Sequence, residues 1–275
     1  MTGPIRLLLA DVDGALVTQD KVLTGAALEA VRALGRAGVM LSITSGRPPR
    51  GMKMLVGPLG LTTPIAGFNG GVLADPDFTV LETHALAPET ARKAIDLIRA
   101  DGLDAWLYTA EEWIIRDADA PHVAREAWTV KFDARVVANF DDADVAKAIK
   151  VVGVSDDLDK VAACEGKAQQ ALCSRATATR SQPYYLDVTS QEANKGEVVR
   201  TLARRLRVSP DEIATIGDQM NDTLMFAVSG LSIAMGNASD EVKARASAVT
   251  DSNEAEGFAK AVERFVLPRA AKRET

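Results

Sequence analysis

The chain has 275 residues, 47% of them hydrophobic and 25% charged, with a formal net charge of −6. That is enough chain for one large or two modest domains with real cores, and its acidity argues against nucleic acid or an anionic membrane as the main partner. No apolar run reaches the length of a membrane span, no signal-peptide pattern opens the chain, and Cys164 and Cys173, nine residues apart, fit neither a zinc site nor a disulfide framework, so a cytoplasmic protein with reduced thiols is expected.

Residues 5–10 form an almost unbroken apolar run of strand length, the pattern of a strand buried in a parallel sheet. The run ends in Asp11-Val12-Asp13-Gly14: two carboxylates one residue apart, then a glycine that lets the chain curl around a small anion. Ligands of open α/β sheets sit beyond the carboxyl ends of the strands, so chemistry is expected here. Taken alone, the same residues could be an acidic turn or part of a calcium loop. Thr24 reads as the N-cap of a helix over 25–36, with Gly38 ending it. Residues 39–43 make a second buried strand that ends in Thr44-Ser45-Gly46-Arg47-Pro48. There a hydroxyl and a backbone N–H can meet a phosphate, and the proline starts the next helix. Residues 64–73 read as a strand, an Asn69-Gly70 hairpin turn and a return strand.

The pattern changes between about 84 and 186. A helix is predicted over 88–100, a β-hairpin from 105–108 and 113–115, and a strand over 146–154 whose first half is ambiguous with helix. A helix over 156–172 and strands over 175–179 and 184–188 follow. All the tryptophans and tyrosines fall in this segment, which predicts an aromatic core of its own; contact of the hairpin aromatics with a substrate is the alternative. Hairpins mixed with helices and inserted between parallel units suggest a separate α+β domain. The parallel pattern resumes where Asn194-Lys195-Gly196 opens a helix to about 206. A third strand, 213–216, ends in Gly217-Asp218-Gln219-Met220-Asn221-Asp222, and a short helix to 227 follows. A fourth strand at 231–235, a helix from Ser239, a strand at 248–250 and a last helix over 254–265 complete the series, and the charged tail after Pro268 should fray.

Three strand ends thus carry Asp11 with Asp13, Ser45, and Asp218 with Asp222, while a helix start carries Lys195. Singly, each passes for a capping or solvated residue; together they form a set. Asp11 and Asp218 suit an octahedral, water-retaining Mg²⁺, and Lys195 with the metal supplies the positive field a phosphate dianion requires. Phosphoryl transfer needs little beyond such positioning and charge neutralisation. The two histidines, His84 and His122, lie in no catalytic or metal-binding pattern, so acid–base work falls to carboxylates.

The series Asp-Val-Asp-Gly, Ser-Gly-Arg-Pro, Phe-Asn-Gly-Gly, Asn-Lys-Gly, Gly-Asp-Gln-Met-Asn-Asp, Ala-Met-Gly-Asn-Ala and Asn-Glu-Ala-Glu-Gly-Phe-Ala resembles the haloacid dehalogenase superfamily, specifically its Cof-type (subfamily IIB) phosphatases, over nearly the whole chain. The resemblance implies an α/β fold: a Rossmann-like parallel-sheet core domain, residues 1–83 and 187–275, with an inserted α+β cap of the C2B type at 84–186. Only 34 positions separate Asp11 from Ser45 but 150 separate Ser45 from Lys195, so the second interval holds the cap. By the same likeness Asp11 is the nucleophile that forms an aspartyl-phosphate, and Asp13 is the general acid and then the base for water. Ser45 and Lys195 hold phosphate, and Mg²⁺ sits on Asp11, Asp218 and the Asp13 carbonyl. Asp222 is implied as a partner of Lys195 or the metal, and Gly14, Gly46, Arg47, Asn69 and Asn221 as lining the phosphate and substrate site. The chain departs from the family at Ala15, where threonine is usual; no ligand or nucleophile is lost. The expected function is Mg²⁺-dependent hydrolysis of a small phosphorylated metabolite (a sugar phosphate, nucleotide or phosphorylated cofactor) by a monomer or homodimer, with neither nucleic acid nor membrane as partner. A phosphohexomutase of the same superfamily and an inactive phosphate-binding regulator are the alternatives.

Overall fold

In a computed structural model describing residues 3–271, the first strand, β1 (Leu7–Asp11), is buried along its whole length. Alternate side chains of a strand point to opposite faces, so an unbroken apolar run needs cover on both. Leu8 and Ala10 enter a cluster with Ala27, Ala30 and Leu34 of the helix Gly25–Arg36. Leu7 and Leu9 enter another with Val198, Val199 and Leu202 of the helix Lys195–Leu206. Each leucine buried in this way contributes about 1.5–3 kcal/mol. The result is a three-layer α/β core whose central strand carries Asp11 at its end.

The remaining strands are β2 (Met40–Thr44), β3 (Ile65–Gly67), β4 (Val72–Ala74), β5 (Val80–Thr83), β6 (Asp104–Tyr108), β7 (Trp113–Ile115) and β8 (Arg135–Val136). They continue as β9 (Lys150–Val154), β10 (Thr177–Gln182), β11 (Tyr185–Thr189), β12 (Ile213–Gly217), β13 (Leu231–Ala234) and β14 (Ala248–Val249). An eight-stranded sheet has the order β14-β13-β12-β1-β2-β3-β4-β5. It is parallel from β14 to β3, with β4 and β5 added antiparallel. A six-stranded sheet has the order β10-β11-β9-β6-β7-β8, antiparallel except where β7 meets β8. Among the described residues no helix is long and apolar enough to cross a membrane.

The helix behind Thr24 begins where expected, with the Thr24 hydroxyl accepting from the Ala27 N–H. The helices Pro88–Ala100 and Leu158–Leu172 and the β6–β7 hairpin are also as read from periodicity. Of the ambiguous stretch 146–154, only Lys150–Val154 is strand; a short helix, Asp142–Val145, precedes it. Other features differ from expectation. The β3–β4 hairpin turns over Phe68–Gly70, not over a two-residue Asn-Gly loop. A helix, Val123–Val130, lies in a stretch given no element, because His122 at its start provides no side-chain cap. The last helix is a chain of short pieces, with Val262–Val266 wound as a π-turn. The aromatic core is shared: Phe68 and Val72 of the first sheet's hairpin join Trp106, Tyr108, Trp113 and Tyr185, while Trp128 is 54% exposed. Of the tail expected to fray, Arg269 accepts from the Ile5 N–H at 2.7 Å and Ala270 bridges to Ile5; residues 272–275 lie outside the described part.

Candidate active site

The carboxyl ends of β1, β2, β3, β12 and β13 converge, and every residue singled out from the sequence lies on one of them or on the helix beginning at Lys195. Lys195 is buried, at 2% exposure, at the first turn of its helix, where the Asn194 side chain accepts from the Glu197 N–H. Its Nζ donates to Asp11 Oδ1 at 2.6 Å and to Asp222 Oδ1 at 2.5 Å. The other oxygen of Asp222 accepts the backbone N–H groups of Asp218 and Gln219, both at 2.8 Å. Both Asp222 oxygens are therefore engaged in holding Lys195 and the β12 loop. Gly217 is what lets this carboxylate approach, since a Cβ there would overlap it.

Asp11, Asp218 and Asp222 are all buried, and each offers a carboxylate oxygen within 4.8 Å of the others. Against these three carboxyl groups stands one ammonium, Lys195. Burial, opposed by Lys195 and reinforced by Asp222 and Asp218, holds the Asp11 carboxyl well above its ordinary pKa. Burial pulls Lys195 down, but the charges of Asp11 and Asp222 more than offset it and keep the ammonium firmly protonated. Asp218 has only neutral donors: Gln219 Nε2 at 2.9 Å and Asn237 Nδ2 at 3.1 Å, both on Oδ2. Its Oδ1 is buried without a hydrogen-bond partner, and burial, against the Gln219 hydrogen bond, pushes its pKa up to about 6. A hard-oxygen cluster with one orphaned carboxylate oxygen fits a small divalent cation.

Asp13 is turned away from that cluster. Arg47 grips it twice, Nε to Oδ2 at 2.8 Å and Nη2 to Oδ1 at 2.5 Å, and Lys21 Nζ lies 2.7 Å from Oδ1. Burial alone would raise its pKa, but the hydrogen bonds and charge of Arg47, with Lys21, hold it below the ordinary value. The Ser45 hydroxyl donates to Asp13 Oδ2 at 3.3 Å and accepts from the Arg47 N–H at 3.1 Å. Arg47, implied as a substrate contact, is thus committed to Asp13, and its Nη1 also reaches the carbonyls of Gly51 and Thr129, at 3.4 and 3.5 Å. Asn221 Nδ2 donates to Asn69 Oδ1 at 3.2 Å across the mouth of the site. Gly46 lies beside Asn69 in ordinary contact.

Sequence reasoning missed Lys21, Gln219 and Asn237 as contributors. Asn237 ties the ends of β1 and β12 together, donating to the Gly14 carbonyl at 2.9 Å as well as to Asp218. Its place just after β13 was the available signal; Lys21, in a polar loop, gave none. Ala15, where threonine was expected by likeness, is buried in the apolar cluster beneath the loop, so its methyl serves packing.

Gly14 has φ +87°, and a Cβ there would overlap the Asp218 carboxylate. Gly14→Ala is therefore expected to destabilise the protein by about 1–3 kcal/mol. It should also displace Asp218, so that thermal melting and divalent-metal titration both report the change; an unchanged metal titration would separate Gly14 from the acidic cluster.

The family model for haloacid dehalogenase-like hydrolases matches residues 8–262. The chain is similar to the 5-amino-6-(5-phospho-D-ribitylamino)uracil phosphatase YcsE of Bacillus subtilis, 26% identical over 263 residues that cover 96% of each chain. It is similar too to the pyridoxal phosphate phosphatase YbhA of Escherichia coli, 26% identical over 264 residues covering 92% of this chain and 96% of that one. Among solved structures, a haloacid dehalogenase-like hydrolase from Bacteroides thetaiotaomicron superposes with a TM-score of 0.86 at 26% identity, covering 94% of this chain and 99% of the other.

Proposed function

The chain belongs to the haloacid dehalogenase-like hydrolase family, and from that membership we propose that it is a Cof-type phosphatase that hydrolyses a small organic phosphate monoester through an aspartyl-phosphate on Asp11. The observation that carries this reading is the pairing of a buried carboxylate at the end of β1 with a buried ammonium, 2.6 Å apart, beside an Asp218 oxygen that has no donor. A nucleophile, a fixed cation and a place for a second cation are what transfer of a phosphoryl group needs.

In this proposal Asp11 attacks phosphorus, and Lys195 keeps the attacking carboxylate oriented while offsetting the charge of the phosphoryl oxygens. Asp222 holds Lys195 in place. Ser45 and the Asn69–Asn221 pair border the phosphate. Asp11, Asp218 and the Asp13 carbonyl would hold Mg²⁺, which when bound neutralises charge between the carboxylates and the phosphate. Asp13 delivers the proton to the leaving oxygen and later takes one from water. With Arg47 and Lys21 on its two oxygens, it does so only after those cations release it, and an incoming dianion competes for both. The segment about 84–186 is proposed as a cap that shields the site from water and contacts the leaving group.

The test is phosphate release from a broad panel of phosphometabolites, with metal-stripped protein, before and after Mg²⁺ is restored. Stripped protein is expected to be inactive, and Mg²⁺ at a hundred times its Kd should raise stability by about 2.7 kcal/mol. Asp218→Asn should lose both responses while remaining folded. Full turnover in excess chelator would rule the mechanism out.

A further inference from the structure

Two of the motifs in the sequence, residues 234–238 and 253–259, have no part in the chemistry proposed above, and hydrogen bonds join them. Asn237 stands just beyond β13, and its Oδ1 accepts the backbone N–H of Asn253 at 3.0 Å. An N–H can only donate, so the carbonyl end of the Asn237 amide faces Asn253 and its Nδ2 faces the other way. That Nδ2 reaches the Gly14 carbonyl at 2.9 Å and Asp218 Oδ2 at 3.1 Å. With Gln219 Nε2 on the same oxygen, Oδ2 is taken, and Oδ1 is left as the buried atom without a partner. The orientation of one amide thus decides which oxygen of Asp218 stays open for a cation. It also fixes the distance from Asp218 to Gly14, the residue bonded to the Asp13 carbonyl.

Asn237 is itself exposed, and an exposed amide keeps one orientation only where a partner offsets its rotamer entropy. Asn253 is such a partner: it is buried and tied down on its far side. Its Nδ2 donates to the Val17 carbonyl at 3.0 Å. Beside it, Glu254 Oε1 accepts the Gln19 N–H at 2.7 Å, and Glu256 Oε2 accepts the Thr24 hydroxyl at 2.6 Å. Glu256 has φ +59°, a backbone state that glycine adopts more easily, and a glutamate at that position provides the carboxylate that closes this clasp. The three bonds span residues 17–24, the loop that follows Asp13 and carries Lys21.

We propose that Asn237 is a positioning residue for the cation site, oriented by Asn253 and by the clasp of Glu254 and Glu256 on residues 17–24, and that this relay favours Mg²⁺ over a larger cation. The proposal rests on the metal site of the phosphatase reading above. Mg²⁺ tolerates little departure from an octahedron of oxygens at about 2.0–2.1 Å, whereas Ca²⁺ takes oxygens at about 2.3–2.6 Å in irregular arrangements. Ligands held at a fixed separation therefore suit the smaller ion. Ligands free to move apart lose that preference, because the larger ion accepts the looser arrangement.

Calorimetric titration of Mg²⁺, and separately of Ca²⁺, into metal-stripped protein without substrate tests this. Asn237→Ala should weaken Mg²⁺ binding by about 10- to 100-fold and Ca²⁺ binding by no more than about threefold, so that the ratio of the two Kd values moves toward Ca²⁺. Glu254→Ala combined with Glu256→Ala, in residues that touch no group of the site, should move the same ratio by about three- to tenfold. Glu254→Gln combined with Glu256→Gln changes the charge equally but keeps an acceptor oxygen for Gln19 and Thr24, and should bind both ions as the wild type does. Partial unfolding would lower the stoichiometry for both ions alike and leave the ratio where it was. An unmoved ratio in Asn237→Ala or in the double alanine variant, or an equal shift in the alanine and glutamine pairs, would overturn the relay and leave the phosphatase reading standing. A wild-type chain that takes up neither ion removes the metal site of that reading, and the relay with it.

Discussion

Asp11→Asn is expected to lower phosphate release by about 10⁴-fold or more and to leave no covalent phosphoenzyme. The amide is nearly isosteric and keeps an oxygen for Lys195, so the fold should be retained and the loss assigned to chemistry. A neutral amide cannot displace a phosphate ester. Asp13→Asn is the informative companion, because it leaves the nucleophile intact and removes proton transfer, typically worth roughly 10²–10⁴-fold. With p-nitrophenyl phosphate, whose leaving group needs little protonation, that variant should accumulate phosphoenzyme, since hydrolysis still lacks its base. Mass spectrometry after rapid acid quenching should find one added phosphoryl group and map it to Asp11. Label on Ser45, or label surviving in Asp11→Asn, would replace the carboxylate route with a serine one.

Lys195→Met should act on stability as strongly as on activity. The lysine is 2% exposed, and its removal leaves Asp11 and Asp222 facing each other without a counter-charge. Breaking one partner out of a buried ionic group typically costs about 3–5 kcal/mol. Urea denaturation of the metal-free variant should show that loss as a lower midpoint with an unchanged slope. Adding Asp222→Asn should return part of the stability and none of the turnover, because the remaining carboxylate is then less repelled but phosphate still lacks its cation. A single variant that unfolds at the wild-type midpoint would mean that packing, not charge, holds this part of the core.

Much of the arrangement was legible because strand ends punctuate so clearly. The apolar run before Asp11 and the polar residues after Thr44 and Gly217 announced where the sheet delivers side chains, and Lys195 stood at a well-capped helix start. What could not be read was which partner each side chain chooses. Arg47 lies two residues from Ser45 in sequence, but its bidentate grip on Asp13 depends on the separation of β1 from β2 and on the loop that brings Lys21 in. Periodicity also failed where caps were missing, as at His122, and where a short edge strand such as β5 is half exposed and has no apolar alternation. The tryptophan count misled for a related reason: composition locates Trp128 in the aromatic segment, while only its position on the helix Val123–Val130 decides that it faces solvent.

The central position of β1 also sets a timetable for the nascent protein. Its partner β12, with Leu7 opposite Ile213, leaves the ribosome on the order of two hundred residues later, roughly 10–40 s at ordinary rates of synthesis. The helix Lys195–Leu206, which covers Leu7 and Leu9, comes only shortly before. The six-stranded sheet draws all its strands from residues 104–189, so it can close on itself during that wait. The strand bearing Asp11 is thus translated first and enclosed last, and through most of synthesis it is an apolar segment paired on one edge only. Such a segment is a client for chaperones and a seed for misassembly. Truncations near the carboxyl end should therefore damage the amino-terminal strand first, before any residue of the site itself is touched.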